Sequence, residues 1–227
     1  MRSLHEESEM KTLSIGVLAS GRGSNFQSII DATKSGHIKA SIVVLITDNP
    51  NAFAIERAQT HGIETLILDP KLHTSRNQYY HAVAHELKVR EVGLVVLAGF
   101  MRIVGKPLID AFRHRIMNIH PALLPSFPGL HGQRQAVDYG AKISGCTVHF
   151  VDEGMDTGPI IIQAAVPSFF DDSEDTLSAR ILKLEHRIFP EAIRLFAENR
   201  LEVVGRKVKI RDLTAAECAL ISPQITG

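Results

Sequence analysis

The feature that most constrains this chain is a series of short Val/Ile/Leu runs separated by segments with helical spacing. Residues 12–19, 41–47, 64–68 and 93–98 read as four strands, the longer of them almost free of polar interruption. A strand with one wet face alternates apolar and polar residues, whereas an unbroken apolar run is buried on both faces, as in a parallel sheet covered by helices. The intervening segments supply those helices. Phe26, Ile29, Ile30 and Thr33 recur at helical spacing, a second helix is expected over 52–61, and Thr74 and Ser75 can cap a third that runs to about Arg90. With right-handed crossovers this becomes an α/β fold, a doubly wound Rossmann-like sheet that is mostly parallel.

Beyond residue 110 the pattern changes. Residues 115–119 read as a strand, followed by a loop carrying Pro121, Pro125 and Pro128 and a helix over 133–139. Strands over 145–151 and 159–167 are joined by a short polar loop, so they are expected to pair antiparallel and extend the sheet. Asp172 or Ser173 caps a long helix whose buried stripe is Leu177, Ile181, Leu184 and Ile188, and Pro190 is expected to kink or interrupt it. Short strands over 201–204 and 207–209 close the pattern. The expected organisation is an extension over 1–11, a single domain over 12–210 made of halves 12–110 and 111–210, and a tail over 211–227.

Charge excludes little but points away from some partners. Twenty-five Lys and Arg balance 25 Asp and Glu, so no general nucleic-acid or membrane surface is expected, although a local phosphate site is compatible with this balance. No run approaches the roughly 20 apolar residues of a membrane span. The polar, acidic start lacks the character of a secretory signal. Cys146 and Cys218 are far apart, and Cys146 lies in an apolar run, so a buried thiol in a reducing, cytoplasmic setting is expected rather than a disulfide.

Three segments can carry chemistry. The turn Ser20-Gly21-Arg22-Gly23-Ser24-Asn25 follows the first strand and opens a helix, where backbone N–H groups form an anion site. It reads as a single-phosphate site, as a plain tight turn, or as a dinucleotide turn with Asp48 as the ribose acid, though the third glycine of that fingerprint is missing. Asn118 and His120, two apart at a strand end, share one face at the carboxyl edge of the sheet. An amide beside an imidazole suits stabilisation of an oxyanion, and equally suits a buried pair satisfying loop carbonyls. The loop Asp152-Glu153-Gly154-Met155-Asp156-Thr157-Gly158 is either a solvated acidic turn or a source of one carboxylate that raises the pKa of His120 and orients it. His149, on the strand before that loop, is structural or lines the pocket. His81 and His85 have metal-ligand spacing on a helix, but a solvated helix face is the ordinary reading and no metal is expected.

In this order and at these separations the segments resemble the phosphoribosylglycinamide formyltransferases of purine synthesis, over about residues 12–209. The glycine turn, Leu97-Ala98-Gly99-Phe100-Met101-Arg102-Ile103, Asn118-Ile119-His120-Pro121, Pro128-Gly129-Leu130-His131 and Asp156-Thr157-Gly158-Pro159 carry the resemblance. It implies formyl transfer from 10-formyltetrahydrofolate, as co-substrate, to the amine of 5-phosphoribosylglycinamide, with Asn118, His120 and Asp156 as the catalytic set. The ribonucleotide is then expected at Gly23, Ser24, Asn25, Leu182, Lys183, Leu184 and Glu185. Folate is expected at Arg76, Met101, Arg102, Ile103, Val104, Asn118, Asp152, Glu153, Gly154, Met155 and Asp156. Residues 12–110 become the phosphate-binding half and 111–210 the folate and catalytic half, with small-molecule substrates only and a monomer or weak homodimer. A carboxylate at the margin of an apolar stripe, as at Glu185, is costly without a partner, which independently favours a ligand role there. Methionyl-tRNA formyltransferase and formyltetrahydrofolate deformylase share the Asn–His–Asp set, but they carry an added RNA-binding domain and a regulatory domain respectively. The chain length therefore favours the ribonucleotide enzyme.

Overall fold

A computed structural model describes residues 12–213. The expected extension over 1–11, the tail from residue 214 onward and Cys218 lie outside the described residues. The first half contains β1 (Leu13–Leu18), α1 (Ser24–Lys34), β2 (Ala40–Thr47), α2 (Ala54–Thr60), β3 (Thr65–Ile67), α3 (Arg76–Val89) and β4 (Leu94–Leu97). Then follow α4 (Lys106–Ala111), β5 (Ile116–His120), α5 (Gly132–Tyr139), β6 (Ile143–Phe150), β7 (Ile160–Pro167), α6 (Glu174–Ala197), β8 (Leu201–Val204) and β9 (Lys207–Ile210). They form one nine-stranded sheet in the order β3-β2-β1-β4-β5-β6-β7-β9-β8.

The strands from β1 to β5 are parallel to their neighbours, β6 returns antiparallel on β5, and β7 pairs antiparallel with β6. The chain direction of the crossovers reverses between β1 and β4, which makes their carboxyl ends the switch point of the sheet, the usual place for a ligand crevice. The fold is the expected mixed α/β sheet, parallel with antiparallel strands added in the C-terminal half.

Two apolar clusters follow from strand alternation. Ile15, Val17, Leu94, Val96, Met117, Ile119, Cys146, Val148 and Phe150 face α1, α5 and α6, represented by Phe26, Ile29, Ala136, Ile181, Phe189 and Ile193. The opposite face, with Leu18, Val44, Ile46, Val95, Leu97 and Ile116, packs against Tyr79, Tyr80, Val83 and Leu87 of α3 and Leu108 of α4. Cys146 is fully buried, and desolvation pushes its thiol up to about 12.

Two elements differ from the reading of the sequence. α4 gave no clear signal because it is only six residues long, opened by Gly105 and Pro107 rather than by a side-chain cap. Pro190 does not interrupt α6, which runs unbroken from Glu174 to Ala197. Proline removes one backbone donor, but Phe189, Pro190, Ala192 and Ile193 are all buried around it, and that packing outweighs one lost hydrogen bond. At its start Ser173 and Thr176 form a reciprocal capping box. In urea denaturation Ser173→Ala should cost about 1 kcal/mol and Phe189→Ala about 3–5 kcal/mol; equal costs would contradict the packing role assigned to the buried face of α6.

Candidate active site

The glycine turn is held open by its neighbours. Gly23, at φ 65°, precedes the first residue of α1, and a Cβ there would come within 2.9 Å of the Ala54 methyl. The Gly21 carbonyl accepts from the Ala54 amide at 3.1 Å, and Arg57 Nε donates to the Arg22 carbonyl at 3.0 Å. Across the turn, Asn25 Nδ2 donates to Glu185 Oε2 of α6 at 2.7 Å, although 160 residues separate them. Glu185 is 7% exposed, and burial pushes its carboxyl up, outweighing the opposing hydrogen bond from Asn25. The Asn25 side-chain oxygen is buried and has no hydrogen-bond partner among the described residues. Leu184 packs on the core, Leu182 is half-buried and Lys183 is exposed, about 200° around the helix from Glu185. Of these four side chains Glu185 is the one that hydrogen-bonds to the turn among the described residues.

Residues 99–104 form the neighbouring loop, anchored at several points. The Met101 amide donates to Ser20 Oγ at 3.0 Å, Arg76 Nη2 donates to the Ile103 carbonyl at 2.7 Å, and the Tyr80 hydroxyl donates to the same carbonyl at 2.8 Å. Arg76 also reaches the Val104 carbonyl at 3.3 Å. Arg102 Nε is hydrogen-bonded to Asp48 Oδ2, so the proposed ribose acid of a dinucleotide site is already paired. Met101 and Ile103 are exposed, while Val104 is buried.

The third part is built by strand register. Asn118 and His120 of β5 lie opposite His149 and Thr147 of β6, so all four side chains emerge on one face. This is the face of Ile116, away from α6. Asn118 Nδ2 lies 3.2 Å from His149 Nε2, while His149 Nδ1 lies 2.8 Å from the Phe150 carbonyl. Burial pushes His149 down, overcoming the upward pull of that carbonyl and of Asp156. A neutral ring must place its proton on Nδ1 to donate to Phe150, which leaves Nε2 to accept from the Asn118 amide. One Asn118 N–H is thereby used and its orientation set; the second N–H is available to a substrate oxygen.

Asp156 arrives from the acidic loop. Its Oδ2 lies 3.4 Å from His120 Nδ1 and accepts from the Gly129 amide at 2.7 Å, and its Oδ1 lies 3.7 Å from His149 Nε2. His120 Nε2 lies 2.9 Å from the Phe127 carbonyl, so both ring nitrogens face acceptors. Asp156 has φ 54°, a left-handed conformation that Asp tolerates better than most residues and that aims its carboxylate at the histidines. In the same loop Asp152 Oδ1 accepts from Thr157 Oγ1 at 2.6 Å, and Glu153 pairs with Arg113 at 2.6 Å. Met155 and Leu130 are exposed apolar side chains of the two loops that meet at Gly129 and Asp156.

Reading the sequence did not reach the groups that hold this arrangement. Thr147 Oγ1 donates to the Ala122 carbonyl at 2.7 Å and accepts from the Leu124 amide at 3.1 Å, and Gln163 reaches the Leu124 carbonyl at 2.9 Å. These contacts fasten the proline-rich loop to β6 and β7. A polar residue two positions before His149 was the available signal, but its meaning depended on the β5–β6 register. His131 is exposed and lies 3.5 Å from Glu174, outside the histidine cluster. Among the described residues no group of three or more His, Cys, Asp or Glu is placed to hold a metal ion.

An amide, an imidazole and a carboxylate at the carboxyl edge of a doubly wound sheet, beside a glycine turn that opens a helix, form the kind of centre that acyl transfer requires. A family model described as formyl transferase matches residues 13–193, and the chain belongs to that family. It is 44% identical to phosphoribosylglycinamide formyltransferase of Escherichia coli (strain K12) over 191 residues, 84% of this chain and 90% of that relative. It is 49% identical over 187 residues to the trifunctional purine biosynthetic protein adenosine-3 of Drosophila melanogaster, covering 82% of this chain but spanning only 14% of that much longer protein. The crystal structure of glycinamide ribonucleotide transformylase 1 from Symbiobacterium toebii superposes with a TM-score of 0.88 at 51% identity, over 88% of this chain and 95% of that one.

The buried Glu185 has a consequence for stability. Its pKa is higher in the fold than in the unfolded chain, so between the two values folding takes up a proton and stability falls as pH rises. The loss begins above the ordinary carboxylate value of 4.5 and is complete once pH exceeds the folded pKa. Glu185→Gln should remove up to about 1.4 kcal/mol per pH unit of that slope; urea midpoints of the two proteins that stay parallel from pH 4.5 upward would refute the assignment.

Proposed function

We propose that this chain transfers the formyl group of 10-formyltetrahydrofolate to the amine of 5-phosphoribosylglycinamide in purine biosynthesis, acting on small molecules in the cytoplasm as a monomer or weak homodimer. The observation that carries the proposal is the Asn118–His149–Asp156–His120 cluster on a sheet face beside the glycine turn, in a chain of the formyl transferase family. In this reading residues 12–210 act as one domain, the ribonucleotide phosphate lying on Gly23, Ser24 and Asn25. The unpartnered Asn25 oxygen and the buried Glu185 carboxyl suit the hydroxyl-rich sugar beside that phosphate. The folate lies along Met101, Arg102, Ile103 and Val104 and against residues 152–156, where exposed Met101, Ile103, Leu130 and Met155 offer apolar contact to a flat heterocycle. Arg76 contributes by holding the Ile103 carbonyl in place.

The substrates react by attack of the amine on the formyl carbon, which places negative charge on the formyl oxygen. Asn118, its amide oriented by His149, donates its second N–H to that oxygen. His120 exchanges its Phe127 contact for the substrate, adds a charge-assisted donor and helps protonate the departing folate nitrogen. Asp156 supports the charge on His120 and takes up the amine proton, directly or through water. No enzyme-bound covalent intermediate is required, and Cys146 is buried on the opposite face of the sheet.

Steady-state formyl transfer with wild type and variants tests this. Asn118→Ala should lower kcat on the order of 100- to 1000-fold. His120→Ala should collapse turnover, and Asp156→Asn should be at least as severe as Asn118→Ala. A folded wild type that makes no formylated ribonucleotide would overturn the substrate assignment, and formate release and methionyl-tRNA formylation would then be measured in turn.

A further inference from the structure

We infer that Thr157 is a positioning residue whose hydroxyl locks the acidic loop onto Asp152, pre-ordering the backbone against which the folate binds; this rests on the folate site proposed above. Thr157 has no role in the reaction as derived, yet it makes one of the loop's closest polar contacts, 2.6 Å from Thr157 Oγ1 to Asp152 Oδ1. The same carboxylate oxygen accepts from the Gly154 amide at 3.1 Å. Asp152 therefore ties together both sides of the turn that carries Met155 and Asp156. The fit is tight: a Cβ at Gly154 would lie 2.0 Å from Thr157 Oγ1 and 3.0 Å from its Cβ and Cγ2. Only a residue without a side chain at 154 leaves room for the threonine.

The lock acts on the loop rather than on Asp156 itself. Asp156 keeps separate anchors in the Gly129 amide and the histidines. Glu153, whose carboxylate pairs with exposed Arg113, adds a solvent-facing tether of little strength. Removing the Thr157 hydroxyl should thus loosen residues 152–155 while leaving the catalytic carboxylate in place. Ordering the loop is then required at the moment the folate binds, and affinity falls by that cost.

The test is kinetic and structural together. Thr157→Val keeps the branched shape and deletes the hydroxyl; Thr157→Ser keeps the hydroxyl. In Thr157→Val the KM for 10-formyltetrahydrofolate should rise roughly five- to tenfold, as expected for one lost hydrogen bond, with kcat within about a factor of two. Thr157→Ser should restore the wild-type KM. Without any ligand, amide hydrogen exchange at Gly154 should accelerate in Thr157→Val and not in Thr157→Ser. Gly154→Ala should slow folate use in the wild type and do so less in a Thr157→Gly background, because the clash is with Thr157. An unchanged KM and unchanged exchange in Thr157→Val, or a fall in kcat alone, would overturn the inference. A wild type inactive with both substrates would instead refute the proposed reaction, and the ligand-free exchange would still decide whether the lock exists.

Discussion

The arrangement of this molecule depends most on the antiparallel return of β6 on β5. Up to β5 the sheet is an ordinary parallel one, and parallel strands are apolar on both sides because helices cover both sides. At β5 the cover on one face ends: α3 and α4 pack on Leu97 and Ile116, but Asn118 and His120 lie farther along the strand. β6 then brings His149 and Thr147 alongside them in register. A one-residue slip of β6 would have sent His149 and Thr147 into the apolar cluster formed with α6, away from Asn118 and His120. The other face of the same strands, with Met117, Ile119, Cys146 and Val148, is a closed core that anchors the polar face above it.

Polar groups gathered in this way must be satisfied, and the loops do it. Thr147 and Gln163 bind the backbone of the proline-rich loop, Gly129 offers its amide to Asp156, and the Phe127 and Phe150 carbonyls each take a histidine nitrogen. His149 is kept neutral by burial and transmits orientation to Asn118, whereas Asp156 stands between two histidines that differ in their partners. The chemistry at the top of the sheet is therefore prepared by groups that themselves touch no substrate in the proposed reaction. The glycine turn follows the same logic at a distance: Asn25 and Glu185 are brought together only because α6 packs across α1.

Much of this was legible from residue order. The unbroken apolar runs required a parallel sheet with two covered faces, the glycine turn fell between a strand and a helix, and the short link between 145–151 and 159–167 required antiparallel pairing. The continuity of α6 through Pro190 was not legible, because local propensity argues against it and only the buried surroundings of Phe189 and Ile193 decide it. α4 escaped notice because six residues carry too little periodicity to register.

For the site, the sequence by itself determined that Asn118 and His120 share a face, since strand geometry repeats every two residues. It also showed, through the resemblance of several spaced motifs, which carboxylate to associate with them. Local spacing contains no information about register between strands or about where a loop lands. The tertiary structure alone decided that His149 orients Asn118, that Gly129 and Phe127 hold Asp156 and His120, that Asp48 belongs to Arg102, and that Glu185 meets Asn25. Each of these pairings joins segments from 7 to 160 residues apart, and they form because the core packed on two faces of one sheet fixes which segments meet above it.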